Sequence, residues 1–303
     1  MLKKINIFFI IICVLFSLSA CSSSKADKAS KDPNKLQISV TFNALKEFAE
    51  AVGKEKVQVT VITPSGMEPH DFEPKARDLE VISNSQVFVY NGLGMEAWVD
   101  KALKTIDNDK LIAVDASKDF PPIKNQDEAE LEEHGQYDPH IWLSLKGAEN
   151  EAKNIKEALV KTDNANKDYY EKNYKDFSEK LDVLYTEYTA KFSSLTNKSF
   201  VTGHAAFGYL CRDFGLTQNS IEDVFAEGEP SAKKLKDLVE YCKERKIKTI
   251  FVEDLVSPKV SETLAKEVGA KTEQIFTLES KEENKDYIQS MKDNIEKIYS
   301  SLK

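Results

Sequence analysis

Two parallel-sheet α/β lobes joined by one long helix are the fold that this 303-residue chain predicts, and three observations predict it. Short β-rich runs alternate with helical stretches from Leu36 onward, the pattern of βαβ units on parallel strands. From Leu145 to about Leu195 strand signals stop, and a single turn signal, near "KTDNAN", interrupts a helical region. The α/β alternation then resumes and runs to the end of the chain.

Taken in order, residues 1–20 stand outside this fold. "MLKK" is a positive n-region, "INIFFIIICVLFSL" an apolar h-region, and "LSAC" (Leu18 to Cys21) closes it with small residues, which reads as a secretory leader. The apolar run is shorter than the roughly 20 residues that a spanning helix needs. Leu-Ser-Ala-Cys resembles the bacterial lipobox, which implies acylation at Cys21. Two or three acyl chains hold a protein to a membrane, whereas one, at about 0.8 kcal/mol per buried CH₂, binds only marginally. Residues 21–35 contain "SSSKADKASKDPNK", polar and without large apolar side chains, and read as a flexible tether.

The N-terminal lobe spans 36–160. Strand-like "LQISVTF" precedes helical "NALKEFAEAVG"; "VQVTVIT" follows; "ARDLEVISNS" leads to "VFVYNGLG", and "MEAWVDKALKTI" to "LIAVDAS". An acidic loop, "KNQDEAELEEHGQYDPH", comes next. In the linking helix, 161–195, Tyr170, Tyr174, Phe177, Leu181, Leu184, Tyr188 and Phe192 recur at three- and four-residue steps, an apolar stripe that reads as packing. Asp163 or Asn164 is the expected N-cap. A helix of about 30 residues would run about 45 Å, enough to brace two lobes. The C-terminal lobe, 196–303, holds "SFVTGH", "AAFGYLCRDFG", "AKKLKDLVEYCKERK", "KTIFVED", "SETLAKEVGA", "TEQIFTL" and a last helix, "KDYIQSMKDNIEKIYSSL".

A chain 41% hydrophobic and 31% charged is globular, and its net charge of −9 argues against nucleic acid or an anionic membrane face as the main partner. Cys13 leaves with the leader. Cys211 and Cys242 lie in helix-like surroundings and are expected to be buried free thiols rather than a disulfide.

The chain has four histidines, His70, His134, His140 and His204. His70 follows the "VQVTVIT" strand through a stiff turn, "TPSGMEPHDFEP"; His140 is pinned by Pro139 in "YDPHIWL"; His204 ends "SFVTGH" where a strand runs into a helix. Strand C-termini are where open α/β folds place ligands. Each histidine alone fits an ordinary turn residue, but three in similar rigid settings favour a metal site in the cleft between lobes. His134 lies in the acidic run "DEAELEEHG", a solvated position with a transient metal-recruiting role as its sharper reading. Rival chemistries lack their motifs: there is no GxxxxGK[ST], no GxSxG and no HExxH.

Several motifs in order, "TPSGMEPHDFEPKARDL", "YNGLGMEAWVDK", "DPHIWLSLKGA", "VTGHAAFGYLCRDFGL", "EGEPSAKKLKDLVEYCKERKIKTIFVED" and "KDYIQSMKDNIEKI", resemble the cluster A-I solute-binding lipoproteins of bacterial zinc and manganese ABC transporters, the zinc branch above all. The resemblance covers the chain from about residue 36 to the end. It implies two α/β lobes on one rigid helix with the metal between them, and as ligands His70, His140, His204 and a carboxylate before the last helix. In many members that carboxylate is an Asp in a Leu-Asp-Pro stretch; here "FTLESKEENKDY" points to Glu279, with Glu273 and Glu282 as neighbouring alternatives. Glu68 and Asp138 become candidate acceptors behind the histidines. Three imidazoles and one carboxylate suit tetrahedral Zn²⁺ better than Mn²⁺. The implied role is binding without catalysis: a monomer anchored at Cys21 on the outer face of the cytoplasmic membrane that delivers Zn²⁺ to a permease and its ATPase. A manganese-binding homologue, a surface adhesin and a zinc hydrolase are the alternatives.

Overall fold

The computed structural model describes residues 32–125, 136–225, 230–255, 257–282 and 284–303. The first sheet holds β1 (Leu36–Val40), β2 (Val57–Val61), β3 (Val87–Tyr90) and β4 (Ile112–Asp115), all parallel, in the order β2-β1-β3-β4. Its helices are α1 (Asn43–Gly53), α2 (Ala76–Ser83) and α3 (Val99–Thr105). After a one-turn 3₁₀ segment, Ile141–Leu143, come α4 (Leu145–Thr162) and α5 (Lys167–Ser193). Ser144 caps α4 by accepting from the Gly147 backbone N–H at 2.9 Å.

The second sheet repeats the plan. Strands β5 (Ser199–Thr202), β6 (Thr217–Ser220), β7 (Thr249–Glu253) and β8 (Lys271–Ile275) are parallel in the order β6-β5-β7-β8. Helices α6 (Gly208–Phe214), α7 (Ala232–Arg245), α8 (Pro258–Val268) and α9 (Tyr287–Ser301) complete the lobe. In both sheets the chain reverses its direction of travel across the sheet beside the first strand, between β1 and β3 and between β5 and β7. Those two gaps are the switch points where such sheets hold ligands.

The 27 residues of α5 extend about 40 Å at 1.5 Å per residue. Its stripe, Tyr170, Phe177, Leu181, Leu184, Tyr188 and Phe192, is buried in one continuous core. That core also takes Ile38, Val40 and Val87 from the first sheet and Phe200, Phe251 and Ile275 from the second. Toward its N-terminus α5 touches the first lobe, where Asn173 Nδ2 donates to Val52 O at 2.9 Å. Toward its C-terminus Phe192 meets Phe214 of the second lobe, ring centroids 5.1 Å apart. Burying each such aromatic contributes roughly 1.5–3 kcal/mol.

Neither Asp163 nor Asn164 caps α5. The N-cap is Asn166, with no side-chain cap bond, and Asp163 Oδ2 instead accepts from Asn166 Nδ2 at 2.6 Å and Tyr170 Oη at 2.8 Å. A further 3₁₀ turn, Asn164–Asn166, separates Asp163 from the α-helix and shifts the cap position downstream. Cys211 and Cys242 are free and buried, and burial pushes the Cys242 thiol up to about 11.

Candidate metal centre

His70 is brought to the first lobe's edge by the chain leaving β2. Thr63 N–H donates to Thr41 O at 2.9 Å, Met67 N–H to Pro64 O at 3.1 Å, and Gly66 takes φ +82°, a conformation that favours glycine. Beyond the histidine, Phe72 is buried against Trp98. The loop is therefore anchored at both ends. At its tip Gly66 N–H donates to Ser280 Oγ at 2.8 Å, a segment that follows β8 of the other lobe.

His140 is held from several sides. Asp138 Oδ1 accepts both the His140 backbone N–H and its Nδ1–H, each at 2.9 Å. Asn91 Nδ2 donates to Pro139 O at 2.9 Å and Tyr209 Oη to Asp138 O at 2.6 Å. With Nδ1–H given to Asp138, Nε2 presents its lone pair outward. That nitrogen lies 3.3 Å from His70 Nε2.

His204 sits at the second switch point, beside Glu253 at the end of β7. Glu253 Oε2 accepts the Gly203 N–H at 2.9 Å, Oε1 accepts the His204 N–H at 3.1 Å, and Oε1 is 3.6 Å from His204 Nδ1. A Cβ on Gly203 would meet Glu253 Oε2 at 2.1 Å, so only glycine lets this carboxylate close on the loop. Burial first, then His140, holds the His204 imidazole well below the ordinary histidine value. Burial pushes Glu253 up to about 8. Neither His204 ring nitrogen has a hydrogen-bond partner, and its ring lies 5.3 Å from that of His140.

Glu279 follows β8 on a backbone bent by Leu278 at φ 64°, a conformation that costs a non-glycine residue roughly 1–3 kcal/mol. Partners from the first lobe hold it there: Asn43 N–H donates to Glu279 O at 3.1 Å, and Trp142 Nε1 to Thr277 O at 2.6 Å. Thr277 Oγ1 donates to Glu279 Oε2 at 2.6 Å, while Oε1 is buried without a partner. Burial, then the charge of Glu68, pushes the carboxyl well above its usual range.

One ligand atom each from His70, His140 and Glu279 lies within 4.8 Å of the others, and His204 stands beside that group rather than inside it. Glu273 pairs with Lys271 at 2.6 Å and Glu282 with Lys285. Glu68 Oε1 lies 3.9 Å from His70 Nε2. His134 and Cys21 fall outside the described residues. Glu253 has no place in the sequence reading; the signal available was an acid closing an apolar strand, "TIFVED", as His204 closes "SFVTGH".

The donors fit a cation. Two nitrogens each about 2.0–2.1 Å from a tetrahedral Zn²⁺ stand about 3.3 Å apart, which is the His70–His140 separation. Buried polar atoms left unpaired cost about 1–3 kcal/mol each, and those of His204 and Glu279 are of the kind that a bound cation would relieve.

Over residues 38–301 the chain matches the family described as the periplasmic component A of zinc-uptake complexes. It is 39% identical to the high-affinity zinc uptake system protein of Bacillus subtilis, covering 100% of this chain and 99% of that one. It is 35% identical to the zinc-binding lipoprotein AdcA of Streptococcus pneumoniae, covering 98% of this chain and 60% of the longer relative. Among solved structures it resembles the laminin-binding protein of Streptococcus agalactiae, described as bifunctional with adhesin and metal transporting activity. There the TM-score is 0.81 and the identity 34%, over 89% of this chain and 100% of that one.

Proposed function

The chain belongs to the ZnuA family, the periplasmic component A of zinc-uptake complexes, and on that premise we propose that it captures Zn²⁺ through His70, His140, His204 and Glu279 and hands it to an ABC permease and its ATPase. As a solute-binding component it is a carrier, not an enzyme. The observation that carries the ligand assignment is the 3.3 Å separation of the two Nε2 atoms beside a buried, half-unpaired Glu279. Asp138 and Glu253 act behind the ligands, Asp138 fixing the ring of His140 and Glu253 holding the backbone that presents His204. A nitrogen-rich donor set favours zinc over manganese. The anchor is the acylated Cys21, in keeping with the streptococcal relative's designation as a lipoprotein, and His134 recruits metal from the acidic loop.

Metal analysis of the purified mature protein, with zinc and manganese in competition, tests this reading. One Zn²⁺ per chain is expected, displacing Mn²⁺. His204→Ala and Glu279→Gln are expected to weaken zinc binding by at least about 100-fold, beyond the 10–100-fold that loss of an outer-shell partner costs. A wild type that prefers manganese, or a His204→Ala variant that binds zinc as tightly as wild type, would overturn it.

A further inference from the structure

Two tripeptides of one design flank the site. In Asp138-Pro139-His140 the acid takes the histidine's backbone N–H, and the same oxygen takes its Nδ1–H. In Glu68-Pro69-His70 the acid again takes the histidine's backbone N–H, but its carboxylate stands on one more methylene. The extra reach carries Glu68 Oε1 to 3.9 Å from His70 Nε2, the nitrogen that faces His140. Oε1 is buried and no group hydrogen-bonds to it. Glu68 nevertheless lies outside the tight group of His70, His140 and Glu279.

Exposure separates it from the rest of the site. The Glu68 side chain is 18% exposed, against 2% for His70, 0% for His140 and 1% for His204. Of these four side chains Glu68 is the one that water reaches, while its Oε1 lies buried beside the sealed imidazole of His70. The charge of Glu68 acts on Glu279, and that of Asp254 acts on both, so Glu68 belongs to the same group of carboxyls as the resident acid.

Building on the zinc reading, we propose that Glu68 is a transit ligand: arriving Zn²⁺ is first held between Glu68 Oε1 and His70 Nε2, then exchanges Glu68 for His140, His204 and Glu279. Departure retraces the same pair. Only metal–ligand contacts form and break. A group used on the way in and on the way out lowers the barrier in both directions, so it changes rates and leaves affinity nearly untouched.

Stopped-flow capture of Zn²⁺, and its release to a fluorescent chelator, test this on the mature chain with Glu68→Gln and Glu68→Asp. Aspartate keeps the charge but has the reach of Asp138, so both variants are expected to be slow. Capture and release should each fall by at least about tenfold, the lower end of what directed charge gives an association rate. Their ratio, Kd, should move less than about threefold. Wild-type rates in Glu68→Asp would reduce the role to electrostatic steering and overturn the proposal. So would a Kd loss matching that of Glu279→Gln with capture unchanged, which marks a resident ligand, or unchanged rates in both variants. Thermal melts of the metal-free variants confirm folding. A wild type that takes up no zinc sinks the zinc reading itself, and this one with it; failure in the variants alone sinks only the transit role.

Discussion

Glu151, on α4, is completely buried, and neither carboxylate oxygen has a hydrogen-bond partner. Burial foremost, then the charges of Glu96 and Asp115, pushes its carboxyl well above the usual value. The unfolded chain releases this proton near the ordinary carboxylate pKa, while the folded chain keeps it to higher pH. Between those limits the native state binds more protons, so stability is full below the unfolded pKa and is lost as pH rises. Urea unfolding of chelator-treated protein between pH 5 and 8 should show that loss. In Glu151→Leu it should be shallower by up to about 1.4 kcal/mol per pH unit, one proton's worth. Equal slopes in the two proteins would refute the assignment. At this scale the sequence by itself singles out the three described histidines as candidates, because stiff turns at strand ends are visible in it. Glu279 came only through a resemblance, because nothing local distinguishes it from Glu273 or Glu282; a left-handed Leu278 and contacts from the other lobe set it apart. Glu253 escaped because its partner, His204, is 49 residues away.

The elements were the most legible level. Parallel strands and α5 follow from apolar periodicity, which the core enforces. The cap of α5 did not, since an inserted 3₁₀ turn answers to Tyr170 and Asp163 rather than to a capping pattern. Phe177 shows what the helix contributes: it packs on Phe48 of α1 at 5.9 Å and on Tyr287 of α9 at 6.3 Å between centroids. Phe177→Ala is expected to destabilise the protein by about 3–5 kcal/mol, read as a lower urea midpoint by circular dichroism. A loss below about 1 kcal/mol would mean that the site collapses around the vacancy and that the brace is weaker than its burial indicates.

For the whole molecule, residues 33–303 form one compact unit, and the core runs through both sheets by way of α5. Rotating one lobe against the other would open that core, so on the proposed ligand set metal exchange would fall to loops such as the one bearing His70 and the segment bearing Glu279. Small-angle scattering of metal-free and zinc-loaded protein should therefore give radii of gyration within about 1 Å, as for a pre-organised receptor; a larger contraction on loading would show a hinge. The lobe–helix–lobe plan was readable in the sequence, but the continuity of the core was not, because a stripe of aromatics does not disclose how many partners it serves.

That continuity bears on how such a protein can change. A bipartite outline suggests two interchangeable modules, yet a chimera cut within α5 would inherit half of a hydrophobic interior and expose the other half. Novelty in this architecture is therefore expected residue by residue at the strand ends, where, on the proposed ligand set, one substitution at position 204 or 279 would alter the ion's surroundings while the shared interior stays closed.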